Sequence, residues 1–149
     1  MWIGPREVPR LQYGAPYNLW VIQHRRCIVL SRWEVDLEFV QAWLLDLDQE
    51  SYEQVVAAVE LLCERGPQLG RPLVDSAVGS RHNNMKELRP GSSGRSELRV
   101  LFAFDPKREA ILLIADDKAG NWKNWYRDNI PIADNRFDNH LNSLKGQSK

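Results

Sequence analysis

The sequence predicts an α+β fold, an antiparallel β-sheet with an N-terminal helical hairpin and a C-terminal helix. Three observations carry this expectation. An apolar stripe at helical spacing runs through Tyr52, Val55, Val56, Val59, Leu62 and Cys63. Strand-like runs separated by turn residues follow it between Asn84 and Asp116. A last amphipathic run, with Ile132, Phe137, Leu141 and Leu144 as its packing face, closes the chain. A chain of 149 residues suits one domain and can bury a core without staples.

The elements follow in order. Residues 1–31 are punctuated by Pro5, Pro9 and Pro16 and show little periodicity, so they read as an N-terminal extension to a domain spanning 32–149. Within the extension, LWVIQ and CIVL are the stretches able to form an extra strand or helix. WEVDL alternates Trp33, Val35 and Leu37 against Glu34 and Asp36, a period-two strand. Phe39, Trp43, Leu44 and Leu47 predict a short helix. The striped helix comes next, with Ser51 and Gln54 resembling a capping box and Gly66-Pro67 as its stop. PQLGRPLVDSAVGSRH reads as a connector. Asn84 to Arg89 and Leu98 to Phe104 form a hairpin around a Pro90–Arg95 loop. The second of these strands sets Leu98, Val100, Phe102 and Phe104 on one face and Arg99, Leu101 and Ala103 on the other. AILLIAD, Ala110 to Asp116, is almost wholly apolar, which suits a central strand or one covered on both faces. DDKAGNWKNWY reads as a loop passing into a helix, and Ile130-Pro131 as the start of a final helix with proline at its first position.

Composition excludes some classes. No apolar run approaches ~18–20 residues, so no membrane span is expected. The N-terminus lacks the apolar core of a signal peptide. Cys27 and Cys63 have no zinc-ligand spacing around them and read as reduced thiols of a cytoplasmic protein. The net charge is zero, yet it is segregated. Residues 32–66 hold nine acids and two bases, whereas residues 67–108 hold eight bases and four acids. A neutral total thus conceals an acidic helical region and a basic hairpin.

Two stretches could carry chemistry. The hairpin concentrates Lys86, Arg89, Arg95 and Arg99, with Arg81 and His82 just before it. Arginine binds phosphate bidentately and stays charged, so neighbouring strands can cradle a phosphodiester. The plainer reading is a solvated sheet face with Glu87 and Glu97 as cross-strand partners. The second stretch places Lys118 ahead of Trp122, Trp125 and Tyr126, a mixture of cation and rings that suits unpaired RNA bases. There the plainer reading is core packing, with at least one of the two tryptophans in the core. His82 stands as an acid/base candidate. No carboxylate or His/Cys cluster has metal-ligand spacing along the chain, so neither a metal nor a cofactor is expected.

The pieces LGRPLVDSAVGSRHNNMKELRPGSSGRSELRVLFAFD and LLIADDKAGNWKNWYRDNIPIAD resemble the HigB-type branch of the RelE/ParE toxin superfamily, including its phage-derived group. The resemblance covers about Trp33 to Leu144. It implies a RelE-like, microbial-ribonuclease-type fold and the toxin of a type II toxin–antitoxin system. Such a toxin cuts mRNA, usually on the ribosome, without a metal. It is held inactive by a helix-turn-helix, HigA-like antitoxin, through which it oligomerises. Carried over, Arg99 matches the arginine of the family's R-V-L-Y/F strand, and Lys118 the basic position after the last strand. The C-terminal aromatic is matched by Tyr126, Trp122 or Trp125, while Lys86 and Arg89 match the first strand less closely. With the residues of the two stretches added to those the resemblance matches, the expected catalytic residues are Arg99, Lys118, Arg89, Tyr126 and His82, and the expected RNA-binding residues are Arg81, Lys86, Arg95, Trp122 and Trp125. One lysine, with two acids beside it, stands where many relatives have a Gly-Phe-x-Lys-Lys loop. That departure keeps two other readings open: a ParE-type inhibitor that binds DNA gyrase without cutting RNA, and a nuclease-dead interaction module.

Overall fold

The computed structural model describes residues 26–27, 33–91 and 96–147. Its strands are β1 Arg26–Cys27, β2 Glu34–Asp36, β3 Val74–Ser76, β4 Lys86–Leu88, β5 Leu98–Phe104 and β6 Glu109–Asp117. Its helices are α1 Gln41–Leu45, α2 Gln49–Arg65 and α3 Trp122–Gln147. The strands form one six-stranded sheet in the order β1-β2-β6-β5-β4-β3. Every pairing is antiparallel except that of β2 with β6. The α+β class and the helix order are as expected.

Helices cover the sheet on both faces. Val100, Phe102, Ala110 and Leu112 pack with Val55, Val59 and Leu62 of α2 on one side of the sheet. Leu101, Ala103, Ile111 and Leu113 pack with Trp125, Ala133 and Phe137 of α3 on the other. The sheet is thus covered on both faces, which is why β6 is apolar at successive positions. A register shift at Leu101/Phe102 leaves one residue of β6 unpaired, so Leu113 and Ile114 both serve the α3 side.

Local chemistry sets the element ends. Asp48 caps α2, its side chain accepting from the Ser51 N–H at 2.8 Å, so the cap lies three residues before the predicted Ser51–Gln54 box. Cys63 on the core face of α2 is disulfide-bonded, which corrects its reading as a free thiol. The connector holds one strand that was not predicted, β3, too short at three residues to show a period. The predicted break at Ile130-Pro131 does not occur. Helix α3 runs through Pro131, because burial of Trp125, Ile130, Ala133 and Phe137 on one sheet face outweighs the lost N–H. Ile132, assigned to the packing face, is exposed as a consequence of that register.

Gly66 closes α2 with φ 58° and ψ −137°, a conformation that side chains rarely adopt. A Cβ there would lie 2.2 Å from Nε1 of the Trp33 indole. Strain and overpacking act together, so Gly66→Ala is expected to destabilise the fold by roughly 2–4 kcal/mol. Urea unfolding measures this, and a change below about 0.5 kcal/mol, the range of an ordinary surface substitution, would contradict the packing of Trp33 on Gly66.

Candidate active site

The site lies on the α3 face of the sheet, at the end where β4, β5 and the start of α3 meet. On β4 the register pairs Leu88 with Val100, so Arg89, one residue on, comes level with Arg99. Two guanidiniums level with each other on adjacent strands repel unless an anion joins them. Glu87, two residues before Arg89 and on the same face, is that anion. Its carboxylate is 2% exposed and lies 3.2 Å from Arg89 Nε and 3.5 Å from Arg99 Nε. Arg89 also reaches Asp75 of β3 at 3.5 Å. Arg99 donates from Nη1 to the Leu98 carbonyl at 2.7 Å. Its Nε is buried and has no hydrogen-bond acceptor among the described residues, the Glu87 oxygen being at ion-pair rather than hydrogen-bond geometry.

Tyr126, on the first turns of α3, donates its hydroxyl to the other side of this cluster, on Glu87 Oε2. Burial, then the Glu87 carboxylate, pushes that hydroxyl up to about 12. Tyr126 therefore stays a proton donor at every physiological pH. A phenol raised in this way stabilises the fold fully below its unfolded value of about 10, and that contribution is lost as pH rises through about 12. Tyr126→Phe should flatten the loss of stability in that window. Denaturant titrations at stepped alkaline pH measure it, and an unchanged slope would contradict the buried contact with Glu87.

A fifth member, Lys118, comes from the β6–α3 loop. Asp117 Oδ1 accepts the N–H groups of Glu97 at 2.9 Å and Ala119 at 3.0 Å. Burial alone would raise the Asp117 carboxyl, but these N–H groups prevail and hold it below the usual range. The Lys118 N–H in turn donates to the Glu97 carbonyl at 3.0 Å. So fastened, the loop sets Lys118 Nζ 5.4 Å from the centre of the Tyr126 ring, within cation–π range. The acid next to Lys118 that seemed a departure is part of its mounting.

Arg99, Arg89, Lys118 and Tyr126 are thus brought together, and the other predicted residues are not. His82 Nε2 meets Asp138 Oδ1 at 2.7 Å, and Arg81 binds Asp138 and Asn135. Asp138 lies twelve residues beyond Tyr126 on α3, about 18 Å along the axis at 1.5 Å per residue. Arg81 and His82 latch the β3–β4 loop to the far half of α3, and Asp138 is held below the usual carboxylate range by Arg81 first and His82 second. Lys86 pairs with Phe102 and shares the α2 face with Leu88, opposite Glu87, so it stands on the wrong side of the sheet. Trp125 is a core residue, 4% exposed, which removes it as a stacking platform. Trp122 is exposed, with Lys123 Nζ 5.5 Å from its ring centre. Arg95 lies outside the described residues.

Glu87 was the residue passed over. The sequence shows it as a cross-strand counter-ion of Arg99, and nothing along the chain places a tyrosine from α3 on the same carboxylate. The fold also assembles a group that could hold a metal ion, which spacing along the chain does not reveal. Asp105, Glu109 and His140 bring one ligand atom each within 4.8 Å of one another. His140 Nε2 already meets Asp105 Oδ2 at 2.7 Å, and Asp105 Oδ1 takes the N–H groups of Lys107 and Glu109. This group ties the β5–β6 turn to α3, at the opposite end of β5 from Arg99.

Residues 42–138 match the family described as Phage derived protein Gp49-like. The chain belongs to this Gp49-like, HigB-type family. It is 54% identical over 135 residues to a Mycobacterium tuberculosis (strain ATCC 25618 / H37Rv) protein named "Putative toxin HigB2", covering 90% of this chain and 67% of that one. It is 51% identical over 107 residues to "Putative toxin HigB3" of the same organism, covering 72% and 91% respectively. The longer alignment exceeds the Trp33–Leu144 stretch, so the similarity runs into the flanking sequence. No solved structure matches. Among the described residues no helix is long and apolar enough to cross a membrane.

Proposed function

We propose that this chain is the toxin of a toxin–antitoxin pair and that it cleaves RNA at the Glu87–Arg89–Arg99–Tyr126 cluster. The observation that carries the reading is the convergence of Arg89, Arg99 and the Tyr126 hydroxyl on one buried carboxylate, with Lys118 over the phenol ring. Two cations beyond the one that Glu87 neutralises, with Arg89 partly exposed, suit a phosphate. In the reaction the RNA 2′-oxygen bonds to phosphorus, the bond from phosphorus to the 5′-oxygen breaks, and a 2′,3′-cyclic phosphate remains. Arg99 and Arg89 neutralise the charge that grows on the phosphorane. Tyr126 donates to the leaving 5′-oxygen or to a phosphate oxygen. The 2′-hydroxyl proton goes either to Lys118 Nζ in its neutral form, with Tyr126 then protonating the leaving oxygen, or through the phenol to the Glu87 carboxylate, which returns it by the same path to the leaving oxygen. Every step is supplied by side chains of this chain.

The partners follow from the family. The antitoxin is a HigA-like helix-turn-helix protein encoded beside the toxin, the substrate is mRNA on the ribosome, and the setting is the cytoplasm. The acidic residues of α2 and of the segments flanking α1 repel phosphate and leave the arginine cluster to meet RNA. Induction in growing cells, followed by mapping of RNA 5′-ends, tests the reading. New 5′-hydroxyl ends within coding sequences are expected on induction. Growth arrest without new ends would overturn it and put the gyrase-binding mode first.

A further inference from the structure

A cavity of about 300 Å³ opens beside Tyr126, between the β3–β4 loop and α3. Val78, Gly79, Ile130 and Pro131 form its apolar walls, Asp134 one side, and Arg81 and Arg127 flank it. Gly79 has φ 102°, and a Cβ on it would stand 3.7 Å from Ile130 Cδ1, so the loop turns tightly enough to shape a wall against the helix. Asp134, 3% exposed, is held by the Ser80 hydroxyl and by the Arg81 N–H at 3.1 Å. No part of the proposed chemistry uses this cavity.

We infer that the cavity seats one nucleoside of the RNA adjoining the scissile phosphate and so sets the base preference of cleavage. This rests on the RNA-cleavage reading. The volume is at the small end of ligand pockets, about 300–1,000 Å³, which fits a single nucleoside and excludes a helix or strand of a protein partner. Its wall continues into the site through Tyr126, whose hydroxyl binds Glu87 while the residue also lines the cavity. A chain whose phosphate lies on Arg99 therefore passes the cavity mouth. The charge is complementary: Arg127, paired only with the exposed Asp128 among the described ion pairs, suits the next phosphate, and the Asp134 carboxylate can take a further hydrogen bond from a base amine. The walls offer apolar contact to a base face, and Arg127 supplies a planar guanidinium to stack on.

The test uses Val78→Trp and Arg127→Ala in the full chain. Val78 is 87% exposed, and the Arg127 guanidinium meets only the adjacent Asp128 at 3.3 Å among the described ion pairs, so both variants should fold. The substrate is an mRNA pool randomised at the nucleotides flanking the cut, on pre-assembled ribosomes. For each variant KM should rise about ten-fold, with kcat within about two-fold, as loss of uniform binding requires. The preference at one flanking position should change. A cut-site 2′-deoxy oligonucleotide, which cannot react, should shift the methyl resonances of Val78 and Ile130. Unchanged KM, preference and methyl signals, with wild-type cleavage intact, would overturn the cavity while leaving the cleavage reading standing. Methyl shifts without any cleavage by the wild type would support the cavity as an RNA site and sink the nuclease. Absence of both would remove the two together.

Discussion

Arg99→Ala is expected to lower RNA cleavage by roughly 10²-fold or more, the usual cost of removing a group that stabilises charge in the transition state. The position on β5 explains why the effect should be large. Arg99 shares its face with Leu101 and Ala103 and is not part of the α2 core, yet its side chain is only 15% exposed. A guanidinium there acts in a partly water-excluded setting, where its field on a phosphate is screened less than at a surface. The same burial changes what the substitution does to the fold. At an exposed position, a pair with Glu87 would contribute only ~0–1 kcal/mol. Here the contribution should be larger, about 1–2 kcal/mol, because Glu87 loses one of its cations while keeping Arg89 and Tyr126. Activity must therefore be compared at a temperature where both proteins are fully folded.

Arg99→Lys separates charge from shape. A lysine restores the cation but not the fork, and cannot hold both the Leu98 carbonyl and a phosphate oxygen in one plane. Partial recovery of cleavage, with stability near that of the wild type, is the expected outcome. Induction in cells with 5′-end mapping gives the readout. Full toxicity of Arg99→Ala would remove the cluster as the active site.

The fold was legible wherever its cause is local. The alternation in β5 and the stripe of α2 are period signals, and both elements stand where the pattern puts them. The start of α3 shows the limit. Proline at Pro131 is a strong local stop, and it was overridden by apolar contacts with β5 and β6 that no window of sequence contains. The all-apolar β6 signalled cover on both faces, but a strand does not say which element supplies the second cover.

The candidate site was legible in part for the same reason. Arg89 and Arg99 lie on neighbouring strands of one hairpin, and their proximity follows from its register. Lys118 and Tyr126 join them because a short loop connects β6 to α3. His82 and Arg81 are adjacent to the hairpin in sequence, yet their partners Asp134 and Asp138 lie more than fifty residues on, so proximity along the chain misled. Lys86 failed on parity alone, since one step along a strand reverses the face.

Glu87→Ala is expected to combine the largest loss of stability among single changes at the site with a loss of cleavage. The carboxylate is nearly fully buried and is shared by Arg89, Arg99 and Tyr126. Breaking a buried ion pair from one side costs roughly 3–5 kcal/mol, because the partner charge is left uncompensated. Arg89 and Arg99 both retain some contact with solvent, so about 2–4 kcal/mol is the better expectation after screening. Glu87→Gln keeps the volume and one acceptor for the Tyr126 hydroxyl but removes the charge. It should recover only the packing and hydrogen-bond share of the stability lost by alanine, while the two guanidiniums, now level and uncompensated, move apart. Cleavage should fall by about 10-fold or more even in that folded variant, the scale of a lost proton acceptor or a misplaced cation. The alkaline window reports on the same contact. In Glu87→Gln the Tyr126 hydroxyl should titrate nearer its ordinary value, since the anion that helps to raise it is gone. Ultraviolet difference titration of the phenolate follows this directly. A variant with normal cleavage and an unmoved Tyr126 titration would show that Glu87 neither holds the phenol nor positions the arginines, and the site would have to be sought elsewhere on the sheet.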